Sequence, residues 1–285
     1  MSLTISRYSA FLRRASVFAL CLTSTACAHT VIPRPESPTE NLTALAPLLD
    51  TTGFRGTILL YDLRAHRFRA VHPEGADTRR IPASTFKIVN ALVALETRVV
   101  QDAHTIIPWD SVVRPRRELN RDLDLAAAFR LSAVPHFQRL ARAEGLGRLQ
   151  QFVDLLGYGN RDLSGGVDQF WLTGGLRISP REQIDFLVRL YREELPFSRR
   201  TIAVVKDIME VERTNTSVVR AKTGWAVMPD GHEVGWWVGW VERGPETVFF
   251  ASVIEGNQPG PQFGPARTDV PRAVLRRLGV LDPAA

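Results

Sequence analysis

The sequence predicts an α+β protein in which an antiparallel sheet is flanked by helices and carries a helical lobe. Strand-like segments lie near both ends of the chain, and helix-like segments fill the middle. Turn-forming residues such as Pro229-Asp230-Gly231 separate consecutive strands near the carboxyl end. Strands from the two ends must therefore pair in one sheet, with the helical block beside it.

Short runs rich in β-branched and aromatic residues predict five strands. These are Gly53–Asp62, Arg67–His72, Ser217–Val227, Glu233–Glu242 and Thr247–Glu255. Apolar periodicity and helix-start residues predict six helices. These are Ser84–Glu96, Pro135–Glu144, Gly147–Leu156, Pro180–Glu194, Thr201–Val211 and Pro271–Leu278. Ser179, Pro180 and Glu182 have the spacing of a capping box with proline in the first turn.

Composition indicates a globular protein and gives no sign of a nucleic-acid partner. The chain has 285 residues, of which 45% are hydrophobic and 23% charged, enough for a sizeable core. The formal net charge is +6, but three arginines lie in the acid-free first 28 residues, which leaves +3 for the remainder. That excess is too small to indicate nucleic-acid binding.

Residues 1–28 have the pattern of a secretory signal peptide, with a basic start, an apolar stretch and Ala26-Cys27-Ala28 at the end. The alternative is cleavage before Cys27 with lipid attachment, although Ser24 is a poor match to the bulky apolar residue expected there. Residues 29–40 form a proline-rich lead-in, and 41–285 are expected to form one catalytic domain of two lobes. No later apolar run is long enough to span a membrane. We therefore expect a periplasmic protein without an integral membrane span.

Ser84 and Lys87 stand three residues apart, on one face of a helix that is otherwise almost entirely apolar. Desolvation disfavours an ammonium, so Lys87 should have a lowered pKa and be able to activate the Ser84 hydroxyl. The alternative is that Ser84 caps the helix while Lys87 extends to solvent.

Lysine is rare in this chain, so its presence in two motifs indicates that a side chain able to lose its proton matters there. Only three of the 36 basic residues are lysines, Lys87, Lys206 and Lys222. Lys222-Thr223-Gly224 ends a strand-like segment and offers a cation, a hydroxyl and exposed backbone for docking an acidic substrate. The order S-x-x-K before K-T-G is the pattern of serine β-lactamases and penicillin-binding proteins.

Together these motifs resemble a class D serine β-lactamase, an oxacillinase. The matching segments are Pro82-Ala83-Ser84-Thr85-Phe86-Lys87, Ser132-Ala133-Val134, Tyr158-Gly159-Asn160, Phe170-Trp171-Leu172, Leu176-Arg177-Ile178-Ser179, Lys222-Thr223-Gly224, Gly235-Trp236-Trp237-Val238-Gly239-Trp240 and Gly264-Pro265-Ala266-Arg267. The resemblance implies the fold shared by serine β-lactamases and penicillin-binding proteins, and hydrolysis of the β-lactam amide bond.

The resemblance also implies roles for the catalytic residues. Ser84 would be the acylated nucleophile, and Lys87 would become an N-carboxylated general base, with carbon dioxide or bicarbonate as the source of the carboxyl group. Ser132 would relay protons with support from Lys222. Trp171 would donate its indole N–H to the carbamate.

On the substrate side, the resemblance implies that Val134 closes an apolar wall over the base. The backbone N–H groups of Ser84 and Trp225 would form the oxyanion hole. Thr223 and Arg267 would hold the substrate carboxylate, with Gly224 beside them on the same strand.

Several of these residues also have a purely structural interpretation. Trp171 could be one more core aromatic, and Ser132 could cap the helix that follows it. Arg267 could be a solvated arginine near a Pro/Gly-rich loop. Tyr158-Gly159-Asn160 could be only a helix-ending turn. Trp236, Trp237 and Trp240 are assigned to sheet packing.

The sequence offers no motif for a metal or an organic cofactor. The six histidines show neither H-x-H nor H-E-x-x-H spacing, and no glycine-rich phosphate loop is present. The expected partner is a small β-lactam substrate, and the oligomeric state is undetermined by sequence. Two other functions share the acylation step, a β-lactam sensor domain and a transpeptidase or carboxypeptidase.

The mature protein should begin at His29 and carry no lipid, because the leader ends in a small-x-small cleavage pattern. Mass spectrometry of the exported protein measures this directly. A diacylglyceryl group on an amino-terminal Cys27 would contradict the expectation.

Overall fold

Strands from both ends of the chain pair in one seven-stranded sheet in the computed structural model, which describes residues 39–283. The signal peptide, Cys27 and the Pro33–Pro38 segment lie outside the described residues. The described residues belong to a single compact unit. The strands, in chain order, are β1 (Glu40–Asn41), β2 (Arg55–Asp62), β3 (Arg67–Val71), β4 (Ile106–Ile107), β5 (Leu123–Asp124), β6 (Glu210–Arg213), β7 (Val218–Val227), β8 (His232–Arg243) and β9 (Glu246–Asn257).

The sheet order is β1-β3-β2-β9-β8-β7-β6, so β2 from the first half of the chain pairs with β9 from the end. All neighbours are antiparallel except β1 and β3, whose short pairing is parallel. Strands β4 and β5 form a separate two-stranded sheet. The predicted α+β class, with terminal segments brought together in one sheet, is confirmed.

Eight α-helices accompany the sheet within residues 39–283. They are α1 (Pro47–Asp50), α2 (Lys87–Glu96), α3 (Leu125–Arg130), α4 (Val134–Glu144), α5 (Leu146–Leu156), α6 (Pro180–Tyr191), α7 (Arg199–Ile208) and α8 (Phe263–Arg277). The predicted capping box of α6 is present, with Ser179 accepting from the Glu182 N–H and the Glu182 carboxylate accepting from the Ser179 N–H.

The two faces of the sheet bury different aromatic residues. On one face, Trp237 and Phe250 join a core cluster with residues of α8 such as Val274. On the other face, Trp240 and Phe249 pack against Tyr191 at the end of α6. The three tryptophans of β8 are therefore core residues, as predicted.

The predicted helix at Ser84 is two elements. Residues Ala83–Phe86 form a 3₁₀ turn, and the α-helix begins at Lys87. Ala83 has a φ of 49°, a left-handed conformation that is strained for a residue with a Cβ. The strained turn places Ser84 at the start of the buried helix.

Two predicted helices, Thr201–Val211 and Pro271–Leu278, have wrong boundaries for identifiable reasons. Helix α8 begins at Phe263 and contains Pro271, although proline usually marks a helix start. Pro271 lacks the N–H that would bind the carbonyl of Arg267 one turn earlier. Helix α7 begins after the Ser198 cap and ends at Ile208, because the next residues pair with β7 as strand β6.

No helix within residues 39–283 is long and apolar enough to cross a membrane.

Candidate active site

The Ser84 hydroxyl and the Lys87 amine meet inside the protein. Lys87 Nζ lies 2.8 Å from Ser84 Oγ, and the two residues are 0% and 7% exposed. Ser84 does not cap α2, since no side chain makes a cap hydrogen bond there. The alternative of a capping serine with a solvent-directed lysine is therefore wrong, and the predicted pair is present.

Burial lowers the pKa of Lys87 well below its ordinary value, and nearby positive charges lower it further. Desolvation is the largest cause, followed by the charges of Lys222 and Arg116. The Lys87 amine also lies 5.4 Å from the centre of the Phe137 ring. No carboxylate is among the groups that shift this pKa, so the structure favours the neutral amine.

Ser132 projects from the link between α3 and α4 toward Lys222. Lys222 Nζ donates to Ser132 Oγ at 2.9 Å and to the Thr223 carbonyl at 3.1 Å. Ser132 has a φ of 53°, and Ala133, which makes no side-chain cap bond, occupies the N-cap position of α4. Ser132 is thus not a helix cap.

Burial lowers the pKa of Lys222 to about 7, and the positive charges of Arg267 and Arg116 contribute to this lowering.

Gly224 allows strand β7 to pass directly beside the nucleophile turn. A Cβ at Gly224 would lie 2.9 Å from the Pro82 carbonyl oxygen and 3.1 Å from the Thr85 methyl group. Any larger residue would push β7 away from the turn that carries Ser84. The absence of a side chain here sets the width of the site.

The backbone N–H of Trp225 lies on the edge of β7 that faces away from β8. Ala221 N–H donates to the Met209 carbonyl, on the side of β7 away from β8. N–H groups alternate between the two edges of an antiparallel strand, so those of Thr223 and Trp225 point to the same edge as that of Ala221. Strand β6 pairs only with Val218–Arg220, which leaves this part of the edge to the nucleophile turn.

Arg267 lies within helix α8 and not in a loop as its sequence context suggested. Its Nη1 donates to the Gly224 carbonyl at 3.0 Å, and its Nε donates to the Gly264 carbonyl at 3.0 Å. Burial lowers the pKa of Arg267. The guanidinium is therefore fixed to the carbonyl end of the Lys222-Thr223-Gly224 segment.

Trp171 is completely buried, as the core interpretation requires, and stacks on Phe86 with ring centres 5.5 Å apart. Its indole N–H, however, has no hydrogen-bond partner within the described part of the chain. A buried donor without a partner costs free energy, so the core interpretation alone is incomplete.

Val134 begins α4 two residues after Ser132 and is half-buried. Its role as an apolar wall over the Lys87 base stays a prediction.

Sequence reasoning missed three residues near the lysines. The centre of the Phe137 ring lies 5.4 Å from Lys87 Nζ, and the centre of the Phe129 ring lies 5.5 Å from Lys222 Nζ. Arg116 acts on the pKa of both lysines and donates to the Leu131 carbonyl at 3.2 Å, next to Ser132. The position of Phe137, one helical turn after Val134, could have indicated its contact; Arg116 carried no sequence signal.

The Tyr158-Gly159-Asn160 segment is a structural turn. Gly157, with a φ of 60°, ends α5, and the Asn160 side chain binds the Gly175 carbonyl and the Arg177 N–H. A Cβ at Gly159 would lie 2.1 Å from the Arg177 carbonyl oxygen. The segment thereby joins the end of α5 to the strand-like segment before α6.

Within residues 39–283, no group of three or more histidine, cysteine or acidic side chains could hold a metal ion.

The chain is similar to the penicillin-binding proteins and, more narrowly, to the class D β-lactamases. The penicillin-binding protein transpeptidase domain family matches residues 65–276, so the chain belongs to that class of proteins. Beta-lactamase OXA-5 of Pseudomonas aeruginosa is 40% identical over 218 residues, 76% of this chain and 81% of that protein. Beta-lactamase OXA-10 of the same organism is 35% identical and covers 94% of this chain and 97% of that protein.

Solved structures agree with this assignment. The class D β-lactamase YbXI from Nostoc has a TM-score of 0.80 and 41% identity, covering 83% of this chain and 99% of that one. The class D β-lactamase from Sebaldella termitidis has a TM-score of 0.82 and 32% identity, covering 86% of this chain and 100% of that one. The chain belongs to the class D serine β-lactamases, which are hydrolases.

The lowered pKa of Lys222 can be observed directly, because a chain labelled with ε-¹³C lysine contains only three labelled side chains. In carbon-dioxide-free buffer, the Lys222 resonance should titrate near pH 7, since burial and two arginines disfavour its ammonium. Lys222→Arg identifies the resonance by its loss. A midpoint near 10 in the folded protein would contradict the electrostatics of the site.

Proposed function

We propose that this protein hydrolyses the β-lactam amide bond through an acyl-enzyme on Ser84, with N-carboxylated Lys87 as the general base. The observation that carries this proposal is the buried contact between Ser84 Oγ and Lys87 Nζ, in an environment that disfavours the ammonium. The leader further supports the proposal that the enzyme acts in the periplasm.

Acylation requires a deprotonated nucleophile, a stabilised oxyanion and a proton for the leaving nitrogen. Ser84 Oγ forms the bond to the lactam carbonyl carbon, while its proton passes toward Lys87. The N–H groups of Ser84 and Trp225 stabilise the negative charge on the carbonyl oxygen. Ser132 delivers the proton to the lactam nitrogen as the C–N bond breaks, and its hydrogen bond from Lys222 supports this role.

The site fits a carbamate on Lys87. Addition of carbon dioxide to the neutral Nζ forms an N–C bond and releases one proton, so the lowered pKa of Lys87 favours it. Lys222 and Arg116, which disfavour a positive charge at this position, favour a negative one for the same Coulombic reason. The unpartnered indole N–H of Trp171 supports the same assignment. A carbamate supplies a carboxylate base for activating the deacylating water.

The substrate carboxylate is assigned to Arg267 and Thr223. Arg267 makes no ion pair with a carboxylate within residues 39–283, although burial disfavours an unpaired charge. Two of its nitrogens bind backbone carbonyls, which leaves the remaining N–H groups of the guanidinium for an anion.

The first test separates hydrolysis from stoichiometric acylation. A chromogenic cephalosporin should be turned over continuously by the wild-type protein, whereas a sensor or transpeptidase would give a burst equal to the protein concentration. Ser84→Ala should abolish both turnover and covalent labelling by a penicillin. A full-size adduct on the Ser84→Ala protein, seen by intact-protein mass, would remove Ser84 from this role.

Activity should depend on bicarbonate. Acid favours loss of the carbamate, so incubation at low pH with degassing should lower turnover, and bicarbonate should restore it without refolding. Lys87→Ala should be impaired and insensitive to bicarbonate, and any adduct that it forms should persist on Ser84. If the turnover of the wild-type protein did not depend on bicarbonate, the carbamate would be contradicted and Lys87 would act as an ordinary amine base.

Arg267→Ala should raise KM by about tenfold while changing kcat little, because the guanidinium contacts a carboxylate remote from the bond being broken. Steady-state kinetics with several β-lactams measures the two constants. An unchanged KM for all of them would leave Arg267 without a role in substrate binding.

A further inference from the structure

The guanidinium of Arg267 lies against the face of the Trp225 ring. A buried arginine would ordinarily pair with a carboxylate. The central carbon of the Arg267 guanidinium lies 4.4 Å from the centre of the Trp225 ring. This geometry is a cation–π contact, which is strongest on tryptophan. The Trp225 ring is 43% exposed and also contacts the Phe263 ring, with ring centres 5.9 Å apart.

Glu233 binds the Trp225 indole from the neighbouring strand. Its Oε2 accepts a hydrogen bond from Trp225 Nε1 at 2.5 Å. Trp225 pairs with Gly235 in the β7–β8 ladder, and Glu233 lies two residues from Gly235, hence on the same face of the sheet. A Cβ at Gly235 would lie 2.5 Å from Arg267 Cγ, so the glycine leaves the space that the arginine stem occupies.

We propose that Glu233 is a positioning residue for recognition of the substrate carboxylate, acting on Arg267 through the indole of Trp225. The proposal rests on the proposed function, because it concerns how the anion-binding arginine of that site is held. Glu233 touches neither the substrate carboxylate nor the reacting atoms. Its effect is to fix the ring against which the guanidinium lies.

This arrangement holds the arginine without occupying its donors. A carboxylate bound directly to Arg267 would take the N–H groups that the substrate anion needs. Glu233 binds instead to the N–H edge of the indole, which stands between the two charges. A negative charge at that edge also makes the ring face more negative and so strengthens its attraction for the cation. The charge of Glu233 is among the groups that raise the pKa of Arg267 against the effect of burial.

The proposal predicts an effect that depends on the charge of the substrate. Glu233→Ala should raise KM by about tenfold for a chromogenic cephalosporin with a free carboxylate, the value of one charge-assisted hydrogen bond, with kcat little changed. The methyl ester of the same cephalosporin should show no such change. Glu233→Gln, which keeps a neutral acceptor for the indole but loses the negative charge, should restore part of the affinity. Glu246→Ala, at the exposed start of β9, is the matched control.

A second set of variants tests the route through the indole. Trp225→Phe keeps a ring under the guanidinium but removes the N–H donor, so it should resemble Glu233→Ala. The double variant should be no worse than either single one, because each removes the same hydrogen bond. Fully additive losses would overturn the proposal, as would an equal loss for the acid and the ester.

A spectroscopic measurement makes the result independent of turnover. The indole Hε1 resonance of Trp225, identified by its absence in Trp225→Phe, should move upfield in Glu233→Ala. An unmoved resonance would overturn the proposal even if the enzyme is active.

The proposed hydrolysis could fail separately, if the wild-type protein gave only a burst. The concentration dependence of Ser84 acylation would then still report whether Glu233 affects binding of the acid more than binding of the ester.

Discussion

The burial of one lysine amine against one serine hydroxyl is the constraint on which the rest of the site depends. Lys87 is completely buried, and the charged groups that act on it are two further cations. An ammonium in that position is disfavoured by desolvation and by repulsion. The fold therefore holds Lys87 in the form that can accept a proton from Ser84 or react with carbon dioxide.

The surrounding structure maintains this environment by close backbone approach. The left-handed Ala83 turns the chain into α2, and Gly224 lets β7 come within van der Waals distance of that turn. Lys222 and Ser132 then meet from opposite sides of the site, one from the sheet and one from the α3–α4 link. On the other face of the sheet, α8 presents Arg267 to the end of the same strand. Each functional group thus comes from a different element, and glycines set the distances between elements.

The parts of this arrangement that sequence could predict are those encoded locally. The apolar helix around Lys87, the capping box at Ser179 and the alternating strands of β7, β8 and β9 each have a short-range signal. The sequence did not reveal that Pro271 lies inside α8, because proline is equally typical of a helix start. The first two residues of β6, Glu210 and Val211, were predicted as the end of a helix, since the strand character of β6 depends on pairing with β7. Arg116 and Phe129 were missed because their relation to the lysines exists only in three dimensions.

A carbamate on Lys87 can be observed directly by ¹³C NMR of the protein in ¹³C-labelled bicarbonate. A neutral Lys87 flanked by Lys222 and Arg116 predicts a carbamate carbonyl resonance that grows as the pH is raised and disappears in Lys87→Ala. The same labelled bicarbonate should raise the pKa of Lys222, because a negative charge then replaces a neutral neighbour. A folded, active protein that shows no carbamate resonance at any bicarbonate concentration, and a Lys222 pKa that does not change, would contradict a carbamate base at Lys87.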